Sequence, residues 1–193
     1  MAPSTLRDTV LRAAVDYIAQ NGPDGLSFRQ VAADAGVSHQ APYHHFTDRQ
    51  GIFQAIAREG FTMFVGALRN VDNLEESDRA LSLLERYVDF AVEHRGHFRV
   101  MFRADLCVMD EDPELQAIAD DAFGVLVSHA TAILGPGASV DDIRARATAM
   151  WALAHGLATL LTDGPLEVKI GQIADRHAFV RSVGMQTSLT NPR

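Results

Sequence analysis

The residues best suited to chemistry lie between positions 27 and 53. Ser27-Phe-Arg-Gln-Val-Ala-Ala-Asp-Ala-Gly-Val-Ser38 runs directly into His-Gln-Ala-Pro-Tyr-His-His-Phe-Thr-Asp-Arg-Gln-Gly-Ile-Phe53. Hydroxyl, amide, imidazole and guanidinium groups crowd into this stretch, and together they suit the base edges and phosphates of a nucleic acid. Ser38, His39, Gln40 and His44 can hydrogen-bond base edges, and the amide of Gln40 has the geometry that pairs an adenine through two bonds. Ser27, Arg29, Tyr43, Thr47 and Arg49 suit phosphates, with Ser27 and Thr47 at expected helix starts where backbone amides favour an anion. Each also has a structural use. Ser27 and Thr47 read as helix caps, Tyr43 and Phe46 as core fillers, and His45 as a solvated side chain.

Other constellations are weaker. His94-Arg-Gly-His97 has a spacing that could supply two metal ligands, but Gly96 interrupts the helix between them and no further ligand completes a site. The acidic run Asp110-Glu111-Asp112 lacks the glycine and terminal glutamate of a calcium loop. No strand-turn-helix nucleophile elbow and no glycine-rich phosphate loop occur, so neither an enzyme, a metal site nor a cofactor is expected. The single cysteine, Cys107, excludes an internal disulfide and a cysteine-rich metal centre.

The elements that must position these residues repeat at helical spacing throughout, which predicts an all-α chain of about nine helices. Val10, Leu11, Ala14, Val15 and Ile18 stripe a first helix that stops at Asn21-Gly22-Pro23. Ser27 and Gln30 form a capping box opening a short second helix. Gly36 suits the positive φ of a helix end, Val37 the corner, and Ser38 the start of a third helix running to about Phe46. Thr47 and Gln50 read as a second capping box before a long fourth helix. Two short helices about a glycine-containing turn make a helix-turn-helix, whose second helix presents its N-terminal end to bases. Further helices follow, among them an eighth capped at Ser139 and a ninth carrying Ile170, Ile173, Ala174, His177 and Val180, before a polar tail from Thr187 expected to fray.

Composition bounds the rest. The 193 residues carry a formal charge of −8, with 47% hydrophobic and 22% charged residues, which fits a folded chain and argues against coating nucleic acid or membrane by bulk charge. Residues 1–50 hold four arginines against five aspartates, so a DNA-reading surface here must rely on few cations and on neutral donors. Met1 to Arg7 has no secretion-signal core. Ala122 to Val140 is broken by Gly135-Pro136-Gly137 and Ala147 to Thr162 is too short, so no membrane span and a cytoplasmic location are expected.

The amphipathic first helix, the Gly25 before the second, Ala35-Gly-Val-Ser38, Tyr43-His-His-Phe46 and the basic Arg49 together resemble the N-terminal region of TetR-family transcriptional regulators over about residues 5 to 60. Arg49 stands where that family usually has Lys, and Pro42 where it often has Leu. Trp151-Ala-Leu-Ala-His155-Gly156 is similar to a subgroup with a Trp…His-Gly C-terminal signature. The resemblance implies a DNA-binding domain at 1–60 and an effector-binding and dimerisation domain at 61–193. It also implies a homodimer that binds double-stranded operator DNA and answers to a small apolar or amphipathic effector. Phe61, Phe64, Phe90, Phe98, Met101, Phe102 and Phe123, with His94 and Trp151 as polar handles, are the expected effector pocket. Ala147, Ala154, Gly156, Ala158, Leu161, Ile173, His177 and Val180 are the expected dimer interface. The alternative is a helical ligand- or partner-binding protein that no longer reads DNA.

Overall fold

The structure, a computed structural model, describes residues 5–70 and 76–187. Among the described residues it is all-helical: α1 (Leu6–Asn21), α2 (Phe28–Asp34), α3 (Ala41–His45), α4 (Arg49–Arg69), α5 (Glu76–Glu93), α6 (Arg95–Met101), a 3-10 turn at Met109–Glu111, α7 (Pro113–Leu134), α8 (Val140–Thr162), α9 (Leu166–Ile170) and α10 (Arg176–Gln186). The expected fraying of the tail from residue 188 falls outside the described residues, as does the start of the Met1 to Arg7 segment.

The chain divides into two compact units, Met1–Thr62 with His94–Ile118, and Met63–Glu93 with Ala119–Arg193. In the first, α1 presents Val10, Leu11, Ala14 and Ile18 to a core completed by Val31, Ala32, Ala41, Phe46, Ile52 and Ile56. Each large aliphatic buried there contributes about 1.5–3 kcal/mol relative to exposure. The segment 94–118 packs with this unit although it lies far along the chain, because α6 lies against α1. Gly96 makes that approach possible: a Cβ there would meet the Val15 carbonyl oxygen well inside van der Waals distance. Arg99 then donates to two carbonyls at the end of α1, those of Ile18 (2.8 Å), which also takes the Gly22 amide, and Ala19 (2.9 Å). Arg58 pairs with the buried Asp112, whose other oxygen accepts from the Leu115 amide.

In the second unit α5 packs on both α8 and α10. Arg181 bridges Glu85 (3.1 Å) and Asp78 (3.1 Å), while Arg176 and His177 both reach Asp89, at 2.9 and 3.3 Å. Among the described residues one helix, α7, is long and apolar enough by length and composition to cross a membrane; it carries Ala122, Val125, Leu126 and Ala130 as buried residues and ends before Gly135, at φ +77°.

Several local expectations are corrected. The single ninth helix is two: Gly171 at φ +88° stops α9, and Asp175 restarts the chain by accepting the Ala178 amide at 2.9 Å. The third helix begins at Ala41 rather than Ser38, since Ser38 to Gln40 form a turn closed by the Ala41 amide on the Ser38 carbonyl. Its second residue, Pro42, has no amide to place and buries its ring. Asp48, not Thr47, caps α4, accepting the Gly51 amide at 2.8 Å. Ser27 does cap α2 through the Gln30 amide, yet the Gln30 side chain bonds Asp34 instead of closing the box. The α1 capping box of Thr5 and Asp8 had been overlooked in the sequence.

Candidate nucleic-acid interface and ligand core

The turn and α3 rest on a buried footing of Ala41, Pro42 and Phe46, which leaves Ser38, His39, Gln40, Tyr43, His44 and His45 exposed around it. Gly36, at φ +65°, makes the reversal between α2 and α3, with the Val37 amide returning to the Ala32 carbonyl at 3.0 Å. Ser27, Arg29 and Thr47 are also exposed. Tyr43 stands 59% exposed with its ring edge on Phe28, centroids 4.8 Å apart, so it covers the small core while its hydroxyl faces outward. These residues share one compact unit.

Arg49 behaves differently from the expectation of a phosphate ligand. One terminal nitrogen donates to the carbonyls of Pro23 (2.7 Å) and Asp24 (2.6 Å), and its guanidinium lies 5.1 Å over the Phe53 ring. It is a strut holding the α1–α2 turn, a task suited to a planar guanidinium with several donors. The same turn takes the Tyr17 hydroxyl on the Gly25 carbonyl at 3.2 Å and Arg103 on Asp24 at 3.4 Å. Arg7 lies 5.2 Å over Phe46.

The nine residues of the expected effector pocket are distributed over the two compact units. Phe61, His94, Phe98, Met101 and Phe102 belong to the first unit, where Phe102 meets Phe61 and Phe98 edge-on at centroid distances of 5.4 Å. Phe64, Phe90, Phe123 and Trp151 belong to the second. There Phe64 packs on Tyr87 and Phe90, each at 4.9 Å, and Phe123 on Trp151 at 5.9 Å. A cavity of about 10 Å³ within the second unit is lined by Ala80, Leu83, Leu84, Tyr87, Leu126, Met150 and Ala154, none of them among the nine.

The polar feature of this core centres on Tyr87, which the sequence reading passed over. Its hydroxyl accepts the Trp151 indole N–H at 3.2 Å and lies within hydrogen-bond distance of His155 Nδ1, at 3.0 Å. Burial pushes the His155 pKa down and the Tyr87 pKa above the ordinary phenol range, so both are neutral near pH 7. A tyrosine on the apolar stripe of Leu84, Val88 and Ala91 was the available signal, since a buried phenol needs a partner. On α7, His129 donates from Nδ1 to the Val125 carbonyl at 2.9 Å, leaving Nε2 buried and unpaired. In the first unit, His97 Nε2 sits 3.2 Å from Glu59, whose carboxyl that bond holds below its usual range. Burial pushes the Cys107 thiol up to about 12 and keeps it protonated.

The expected dimer interface is also redistributed. Ala147, Ala154, Ala158 and Val180 are buried within the chain, because the small-residue stripe of α8 faces α5. Gly156, Leu161 and Ile173 are half-buried and His177 is exposed. The open face of α8 carries Thr148, Ala149, Ala152, Thr159 and Leu160, and α10 exposes Met185.

Two family models match this chain: that of the tetR family of bacterial regulatory proteins over residues 10–56, and that of the tetracyclin repressor-like C-terminal domain over residues 80–183. The chain belongs to the tetR family. Among curated relatives, the transcriptional repressor AcnR of Corynebacterium diphtheriae is 29% identical over 119 residues, and that of Corynebacterium glutamicum 27% identical over 127. Those alignments cover 62% and 66% of this chain and the same shares of the two relatives. The regulator YobS of Bacillus subtilis is 27% identical over 82% of this chain and 80% of its own. Two solved structures from Rhodococcus RHA1 share the fold: one of a protein of unknown function, 27% identical with a TM-score of 0.72 over 96% of both chains, and one of a tetR-family regulatory protein, 20% identical with a TM-score of 0.73 over 98% of this chain and 99% of that one.

Proposed function

We propose that the protein is a DNA-binding transcriptional regulator, a repressor that binds a palindromic operator as a homodimer in the cytoplasm and releases it on binding a small apolar or amphipathic effector. The observation that carries this reading is the exposed polar set on the turn and α3, raised on a buried footing inside a family-matched helix-turn-helix. Residues 1–60 serve as the DNA-binding domain and 61–193 as the effector-binding and dimerisation domain. The apolar open face of α8, with Met185 on α10, supports pairing of two copies there. An effector requires about 300–1,000 Å³, so the closed cavity beside Tyr87 has to open for entry. Selection of random-sequence duplexes on the full-length protein, followed by footprinting, tests the reading. Enrichment of a two-fold symmetric sequence is expected. Failure to enrich any sequence by a correctly folded dimer favours the non-DNA alternative.

A further inference from the structure

The head is short of cations. Four arginines stand against five aspartates across residues 1–50; all four are exposed, and some of them carry contacts within the head. Arg49 is committed to the Pro23 and Asp24 carbonyls, and Arg7 lies over the Phe46 ring. Arg12 lines a groove of about 650 Å³ between α1 and α2 together with Asp16. Arg29 lies on α2 and, like the other three, is exposed. Neutralisation of phosphates dominates affinity for duplex DNA, so with no net positive charge in residues 1–50 any further cation on this face strengthens binding.

The recognition segment supplies one. His39, His44 and His45 are all exposed, and no described hydrogen bond or ion pair engages their rings. The titratable and charged groups on the elements packed against α3 are otherwise occupied. On α1, Asp8 is tied to Thr5 and Tyr17 bonds the Gly25 carbonyl, while Arg12 and Asp16 share the groove. On α2, Asp34 accepts from Gln30, leaving Arg29 open. Around the loops, Asp24 faces Arg103 and Asp48 accepts the Gly51 amide. Asp48 is the carboxylate nearest in sequence to the histidines, and its capping bond fixes it at the α4 start.

We infer that His44 and His45, with His39 at the turn, act as proton-gated cations of the DNA face, contacting duplex phosphates in their protonated form, so that DNA binding takes up protons. This rests on the DNA-binding reading above and specifies how that surface is regulated. An imidazole changes charge near neutrality, and an adjacent phosphate favours the charged form. Protonation is therefore greater in the complex than in the free protein, and affinity rises as pH falls.

The test uses the full-length protein with two probes: the duplex enriched by selection and an unselected random-sequence duplex. Affinity for both is expected to rise about tenfold or more from about pH 8 to about pH 6 at fixed salt. The log–log salt slope should steepen over the same interval by about 0.9 for each imidazole that becomes a phosphate contact. His44→Gln/His45→Gln is expected to bind weakly at both pH values with the response largely lost. His44→Arg/His45→Arg is expected to bind tightly at both, also without the response. A flat wild-type profile, or a response that survives the double glutamine change, overturns the inference while leaving DNA binding intact. So does a double arginine variant that stays weak with its helical spectrum unchanged, since base contact rather than charge would then be the role. No duplex binding at any pH by folded protein overturns the regulator reading itself, and this inference with it.

Discussion

In the first unit the guanidiniums of Arg49 and Arg99 and the phenol of Tyr17 all end on backbone carbonyls, whereas in the second unit Tyr87, Trp151 and His155 end on one another. The two patterns suit different demands. A head built from helices of seven and five residues cannot hold their ends by helical hydrogen bonding alone, because most of their amides and carbonyls lie in terminal turns. Long side chains from α1, α4 and α6 instead tie down the end of α1 and the loop after it, which fixes the turn leading into α2. The polar residues of α3 are then left to face outward. The second unit is built from long helices that close their own bonds, so its polar side chains are surplus to backbone needs. Three of them form a side-chain network that runs from the buried Tyr87 to the half-buried His155 and the exposed Trp151.

The comparison can be broken most forcefully at Gly96. Gly96→Val places side-chain atoms against the Val15 backbone and should destabilise the protein by about 3 kcal/mol or more, read from the denaturant midpoint. A shift below about 1 kcal/mol would mean that α6 is not held against α1 by close backbone approach. Next in size is Tyr87→Phe, which removes the hydroxyl that meets the Trp151 N–H and His155 Nδ1. It should cost about 1–3 kcal/mol and shift the emission of Trp151, the chain's one tryptophan. An unchanged spectrum and stability would dissolve the contrast between the two units.

Arg49→Ala sharpens the distinction between strut and phosphate ligand. As a strut, its loss should lower stability by about 1–2 kcal/mol and leave the salt slope of DNA binding unchanged. A slope smaller by about 0.9 per protomer with stability intact would return Arg49 to the DNA face. The smallest effect concerns acid. Since burial depresses the His155 pKa, the unfolded chain takes up the proton first. The stability this residue contributes is complete above the ordinary imidazole range and is lost as pH falls from about 6.5 through the folded value. His155→Gln should remove that part of the acid loss in thermal melts between about pH 7 and about pH 5.

Much of the architecture was legible because it rests on local rules. Helical periodicity, the glycine between α2 and α3 and the Ser139 cap on Asp142 can each be read within a few residues, and each stands in the structure. The misread caps failed for a related reason. Thr47 and Asp48 are both competent caps, and only the phase of α4 against the head core selects Asp48. The partners of the pocket residues were not legible, because aromatic side chains say that something is buried without saying beside what. Phe61 and Phe64 are three residues apart on α4 yet pack with different partners, Phe102 for one and Tyr87 for the other.

By itself, the sequence determined the all-helical class, the helix-turn-helix and the polar character of the segment from Ser38 to His45, since each depends on neighbours a turn or two away. Only tertiary structure decided which groups in that segment stay available. The guanidinium of Arg49 is separated by 26 residues from the carbonyl it holds, that of Arg99 by 81, and the Tyr87 hydroxyl by 68 from its histidine. Whether a charged or polar side chain meets solvent, a phosphate or a carbonyl depends on what the fold brings within about 3 Å of it, and no local pattern encodes that distance.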